Sequence, residues 1–189
     1  MWGALAGVLF AAANGAGGET PARWAVDPLA SRAEFNVRFL GLVRINGRFA
    51  RFTASIDPAV GDMLRVEARF ETASLDMSTD QQERWARSDE FFDSARYPTI
   101  EFRSEPFARA LLASGGEVKG ALTLRGETHE TALALRPVDC PLESRAPCVL
   151  DASASVARTA FGMKTRRGMI SDRVGLSLHI VARPAAPER

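Results

Sequence analysis

The chain has 189 residues, 46% of them hydrophobic and 25% charged, with 24 Lys+Arg against 23 Asp+Glu and a net charge of +1. This length favours one domain, and the composition excludes a mostly disordered chain or a collagen-like repeat. The near-neutral balance argues against a nucleic-acid binder, which carries a basic excess. No apolar run reaches the roughly 20 residues of a membrane-spanning helix.

Residues 1–13 read MWGALAGVLFAAA and carry no charge; Asn14, Gly15, Ala16, Gly17 and Gly18 follow. An apolar stretch followed by small residues is the pattern of a secretory signal peptide. It is expected over 1–16, with 17–22 as a linker. The basic residue that usually precedes the apolar stretch is missing. A buried N-terminal helix is the competing reading, but Gly15–Gly18 would break it.

Beyond residue 22 the chain alternates apolar and polar residues in short runs. Ala33, Phe35, Val37 and Phe39 alternate with Glu34, Asn36 and Arg38. Leu64–Glu71 reads LRVEARFE, with Leu64, Val66, Ala68 and Phe70 on one face and charges on the other. Residues 118–124 and 174–180 repeat the period of two, and 49–57, 99–104, 131–137 and 150–158 do so more weakly. This is the signature of half-buried strands. Asp57-Pro58, Ser114-Gly115-Gly116 and Arg125-Gly126 supply the turns between them. Residues 79–92 differ: TDQQERWARSDEFF has no Gly or Pro, and Thr79 with Gln82 suits a capping box. One helix is expected there, crossing between strands.

The fold class is therefore all-β, an antiparallel eight-stranded barrel over 23–183 with a frayed tail at 184–189. Closure removes the exposed sheet edges; an open two-sheet sandwich is the alternative. A nine-residue strand tilted by about 40° makes such a barrel roughly 23 Å tall. Cys140 and Cys148 flank a Pro-bearing turn, which fits a disulfide in an oxidising compartment. Closing a loop of about nine residues contributes roughly 2.5 kcal/mol in the chain-entropy picture. Two free thiols are the alternative. A metal pair is disfavoured, since no other Cys or nearby His completes a site.

Five segments, in order, resemble the YceI-like family of periplasmic polyisoprenoid-binding proteins. They are Trp24-Ala25-Val26-Asp27-Pro28 with Phe35-Asn36-Val37; Gly47-Arg48-Phe49 with Phe52; Ser88–Asp93 with Tyr97–Phe102; Gly120–Thr128; and Arg158–Met163. The resemblance runs from Trp24 to Val181. It implies a lipocalin-like barrel whose apolar interior holds a long hydrocarbon chain. The sequence departs from the family in the helix. Glu83, Arg84, Trp85 and Ala86 stand where an Arg-Asp pair and a His are common.

The remaining chemistry is sparse. No GxSxG, HExxH or phosphate-binding Gly loop is present, and neither His129 nor His179 has a neighbour at metal-ligand spacing. Both read as surface residues. No cofactor, metal or catalytic residue is expected. Ten of the eleven Phe lie beyond the leader, against a single Tyr. Rings without hydroxyls suit a dry hydrocarbon site, although inward Phe is also what any packed barrel core contains. With the resemblance, the expected ligand-binding set is Phe35, Val37, Phe39, Phe49, Phe52 and Phe70 from the first strands. Phe102, Leu122, Phe161, Met163 and Leu176 are expected from the later ones. Trp85, Phe91 and Phe92, on or beside the helix, are expected to close one end. Arg158, Lys164, Arg166, Arg167 and Arg173 form a cationic cluster opposed by Asp172. The first four are candidates to meet a phosphate head group or an anionic membrane surface; a solvated loop is the plain alternative.

These residues predict an exported, non-catalytic carrier of an isoprenoid or other long-chain amphiphile, located in the periplasm. A homodimer is compatible with the sequence. Two other readings differ in what they require. A small enzyme at the barrel mouth needs a polar group buried among the Phe residues with a shifted pKa. A stress-related interaction protein with a filled core has no cavity.

Overall fold

The computed structural model describes residues 23–140 and 146–185. The expected signal peptide and linker lie outside the described residues. In chain order the strands are β1 (Trp24–Val26), β2 (Arg32–Phe39), β3 (Val43–Phe49), β4 (Phe52–Pro58), β5 (Met63–Glu71) and β6 (Leu75–Met77). After helix α1 (Asp80–Arg87) come β7 (Thr99–Ser104), β8 (Phe107–Ala108), helix α2 (Ala110–Ser114), β9 (Gly116–Leu124) and β10 (Glu127–Leu135). β11 (Cys148–Ala157) and β12 (Arg173–Pro184) complete the chain.

Four pairs of these strands are continuous strands with a local break; one is β7 and β8, which lie end to end along β5. β1 and β2 lie end to end along β12, interrupted where Asp27 Oδ1 accepts from the Leu29 and Ala30 amides and Ser31 Oγ accepts from Val181 N at 2.9 Å. β3 and β4 run opposite them, and β5 and β6 run opposite β4 and β3. The result is eight antiparallel strands in meander order, with β12 closing on the first. The expected barrel is present, and the open sandwich is not. One seam is short: β10 pairs with β11 only at Ala134↔Ser153 and Leu135↔Ala152, whereas β9 and β10 pair along their whole length.

The alternation that marks the strands also fixes their register. Inward positions carry the apolar side chains. Outward positions carry cross-strand ion pairs, such as Arg69 with Glu101 (3.0 Å), Arg51 with Glu71 (2.7 Å) and Arg48 with Asp76. Each exposed pair contributes at most about 1 kcal/mol. A one-residue slip, however, would turn every strand's apolar face outward.

Four local expectations are corrected. The strand expected at 49–57 begins earlier, at Val43, and breaks at Ala50-Arg51, whose amides bond Ser74 O and Ser74 Oγ. The tenth strand spans 127–135 rather than 131–137. The helix expected over 79–92 ends at Arg87: Ser88 is extended and bonds Trp85 O through both its amide and its hydroxyl. Thr79 Oγ1 does accept from Gln82 N at 3.2 Å, as a cap should. The short helix α2 was not expected at all. The frayed tail is also corrected in part, since β12 continues to Pro184 and Ala185 N donates to Arg23 O at 2.7 Å; residues 186–189 lie outside the described residues.

Two apolar clusters stack along the barrel axis. Around Phe35, Phe49, Phe102, Leu122 and Phe161 lies the end covered by α1. Around Trp24, Ile56, Leu64, Phe107 and Leu112 lies the opposite end, where Cys140 and Cys148 form the expected disulfide. Gly120 makes the wall fit: a Cβ there would sit 2.4 Å from Arg103 O and 2.7 Å from Phe102 Cζ. The backbone contact cannot rotate away. Gly120→Ala is therefore expected to destabilise the fold by about 1–3 kcal/mol, seen as a fall in thermal midpoint of roughly 2–4 °C per kcal/mol. An unchanged midpoint would show that the wall relaxes freely there.

Candidate functional site: an apolar cavity through the barrel

The inward faces do not fill the barrel. They enclose a cavity of ≈ 210 Å³ whose free surface is entirely apolar. Its origin is in the sequence of inward residues. Phe35, Phe49, Phe52, Phe70 and Phe102 are interleaved with Ala33, Ala54, Ala68 and Ala152, all of which line the void. The rings pack on each other, with centroids 5.6 Å apart for Phe35–Phe49 and 5.7 Å for Phe49–Phe70. The alanines leave the space the rings do not reach.

The segment after α1 covers one end. Phe92 sits edge-on to Phe35 and Phe49, at 5.7 and 5.8 Å, and Trp85 meets Phe91 edge-on at 4.6 Å. Trp85, Phe91 and Phe92 both close the end and line the cavity. Polar contacts from two other loops hold this cover. Arg125 Nη1 donates to Asp89 O at 2.8 Å and also to Phe91 O. Glu90 Oε2 accepts from Trp85 Nε1 at 3.0 Å and from Arg166 Nε at 3.1 Å, and the Arg166 guanidinium lies 4.6 Å over the Trp85 ring. Thr165 Oγ1 donates to Glu90 O at 3.0 Å.

Of the expected ligand-binding residues, twelve line the cavity: Phe35, Val37, Phe49, Phe52, Phe70, Trp85, Phe91, Phe92, Phe102, Leu122, Met163 and Leu176. Two do not. Phe39 lies beyond the cavity, bridged to Ile170. Phe161 is buried against the His129 ring, 4.9 Å away, rather than facing the void. His129 itself bonds Ala160 O at 3.0 Å, so it ties β10 to the turn that follows β11. His179 pairs across the outer face with Asp151 at 2.9 Å.

The four cationic candidates separate. Arg158 is buried, only 2% exposed, and lines the cavity. It donates to Ser171 O at 3.1 Å, Met163 O at 2.5 Å and Ile170 O at 3.2 Å. Burial lowers its pKa, and the nearby Asp172 opposes that shift. Three of its five N–H groups thus hold the 163–171 loop in place. Arg166 is engaged by Glu90 and Trp85. Lys164 and Arg167 are exposed and form no ion pair among the described residues. One residue escaped the sequence reading. Gln82 lines the cavity from α1, and its Oε1 is buried without a hydrogen-bond partner. On sequence alone it reads only as part of a cap. Among the described residues no cluster of His, Cys, Asp or Glu is placed to hold a metal.

Comparison with known proteins agrees with this geometry. The YceI-like domain matches residues 24–182. The chain belongs to the YceI-like family. The UPF0312 protein of Azotobacter vinelandii is 28% identical over 132 residues, covering 68% of each chain. That of Staphylococcus epidermidis is 26% identical over 106 residues, and the match spans 58% of its length and 55% of this chain. Among solved structures, Burkholderia cenocepacia BcnA superposes with a TM-score of 0.72 at 23% identity, covering 82% of this chain and 98% of its own. A polyisoprenoid binding domain from Saccharophagus degradans, implicated in plant cell wall breakdown, superposes at 0.67 with 17% identity, covering 86% and 98%. At these identities the superpositions establish the shared barrel fold.

The Glu90 contacts make the end cover sensitive to acid. Hydrogen bonds from Trp85 and then Arg166 hold the Glu90 carboxyl below its ordinary value of 4.5. A lowered folded-state pKa stabilises above the unfolded value and loses that contribution as pH falls through the folded one. The difference in fluorescence between the wild type and Trp85→Phe is expected to stay constant from pH 7 to about 4.5. It should change below that, and Glu90→Gln should abolish the transition. A transition that survives Glu90→Gln would place its cause elsewhere.

Proposed function

We propose that this protein is an exported, non-catalytic carrier that sequesters one amphiphilic lipid, a polyisoprenoid, inside the barrel. The observation that carries this reading is the unfilled apolar cavity. Apolar walls around a space of ≈ 210 Å³ forfeit the packing contacts that an occupant would supply. A hydrocarbon chain recovers this loss, because each buried methylene contributes about 0.8 kcal/mol. A filled-core interaction protein would contain no such void.

The mechanism is exchange of water for side chains around the chain, with no covalent step. The polar end of the ligand belongs at the α1 end, where Gln82 Oε1 lacks a partner and Arg158 borders the cavity. A chain longer than the barrel must bend or protrude there. Membership of the YceI-like family, and the polyisoprenoid-binding domain among its structural neighbours, support an isoprenoid ligand. The disulfide and the apolar N-terminal sequence support export to the periplasm.

Native mass spectrometry of protein purified from the periplasm, followed by organic extraction, tests the proposal. The expected result is a co-purifying isoprenoid near one per chain. A clean apo mass, unchanged by added isoprenoids, contradicts it. Filling the cavity gives an independent check. Ala68→Phe is expected to reduce the bound lipid at least tenfold while the protein still folds. Undiminished lipid in that variant would move the binding site out of the barrel.

A further inference from the structure

The turn between β2 and β3 departs from the usual chemistry of a hairpin tip at Leu40, the first of its two central residues; the second, Gly41 at φ +72°, conforms. Such positions favour Gly, Asn or Asp. Here the sequence is Leu40-Gly41-Leu42-Val43. Leu40 is held at φ +49°, a left-handed conformation that a Leu side chain adopts only at a cost. Leu42 is 87% exposed, Val43 58% and Leu40 56%. Leu40 N donates to Met169 O at 2.6 Å, which adds Met169, 41% exposed, to the same patch. Strain combined with exposed apolar surface at one tip calls for a function.

The charges around the tip identify what covers it. Arg38 and Arg44 stand directly opposite each other in the β2–β3 register, both exposed and neither in an ion pair among the described residues. Like charges at opposed positions destabilise a ladder. Elsewhere on the outer wall, opposed arginines face carboxylates, as Arg48 faces Asp76 and Arg69 faces Glu101. Lys164 and Arg167, on the loop that carries Met169, add two further exposed cations. Apolar side chains at a tip with cations set behind them match a bilayer interface, where acyl chains lie beneath anionic phosphates.

We infer that the Leu40–Val43 tip, with Met169, inserts into an anionic lipid surface while Arg38, Arg44, Lys164 and Arg167 rest on its phosphates. Docking in this way would present the α1 end of the barrel to the membrane. The inference does not depend on what the cavity holds.

The test uses the full chain, whose native cysteines are paired, with an environment-sensitive dye on a single introduced cysteine. Vesicles are phosphatidylcholine with about 30% phosphatidylglycerol, compared with phosphatidylcholine alone. The dye on Leu42→Cys is expected to brighten severalfold with the anionic vesicles and to be quenched by a lipid-borne quencher. On Val60→Cys, in the loop at the opposite end and 93% exposed, it should stay aqueous. Leu42→Ser with Val43→Ser should lower vesicle partitioning at least tenfold. Arg38→Gln with Arg44→Gln should lower it about 25-fold, from roughly fivefold per cation near the surface. Both variants replace exposed residues, and their circular dichroism should match the wild type. A Leu42 label that stays in water, equal responses at Leu42 and Val60, or variants that partition like the wild type would overturn the inference. So would a wild-type dimer that dissociates on Leu42→Ser with Val43→Ser, which would assign the patch to a second copy of the chain. Ligand extraction from the same preparations reports separately on the cavity.

Discussion

An eight-stranded barrel has an interior that side chains can just fill. Here they do not, and the rest of the structure follows from that void. Phenylalanines supply most of the ring surface, and inward alanines keep the space between the rings open. Nothing polar on the cavity's free surface would hold water in it. The closed ladder, the helical cover and the disulfide-bearing end then act together. They enclose a volume that is costly when empty and favourable when occupied by hydrocarbon.

The polar groups are spent on the ends of the barrel. Glu90 joins Trp85 to Arg166, and Arg125 holds the carbonyls of Asp89 and Phe91, so two separate loops converge on the cover. Among the described residues Arg158 forms no ion pair, with Asp172 acting on it only through its charge, and it satisfies carbonyls of the 163–171 loop instead. A buried cation of this kind is expensive to orphan. Its role is to hold the loop, and through it Met163 stays against the cavity and Arg166 stays on Trp85. The cation cluster visible in the sequence therefore serves two tasks. Arg158 and Arg166 build the end of the barrel, while Lys164 and Arg167 stand exposed on its surface.

Much of the barrel was legible because its strands alternate cleanly. Residues 64–71 show charged outer and apolar inner positions, 99–104 do so more weakly, and both form strands within one residue of the expected limits. The β2–β3 hairpin was hidden for a physical reason. Its turn carries Leu40 where a polar turn residue belongs, and Gly47 interrupts the apolar face of β3 beneath the Phe35 ring. The helix was read too long because its composition favours helix through Phe92, whereas Ser88 caps it after two turns. The five residues of α2 carry no capping hydrogen bond to announce them. The cavity was legible only through the family resemblance, not from the residues alone. Inward Phe residues fill a core and line a pocket equally well, and only the register sets Ala54 beside Ala68 on the inner wall. Gln82 was missed because its polar atom acquires meaning only once α1 is seated over the void.

The central claim is that apolar contact inside the barrel drives binding. Titration calorimetry with a series of straight-chain alcohols of increasing length measures this most directly. Affinity is predicted to rise about fourfold per added methylene, the equivalent of roughly 0.8 kcal/mol, until the cavity is full. A negative heat-capacity change should accompany it. An affinity independent of chain length, or a heat-capacity change near zero, would contradict the account.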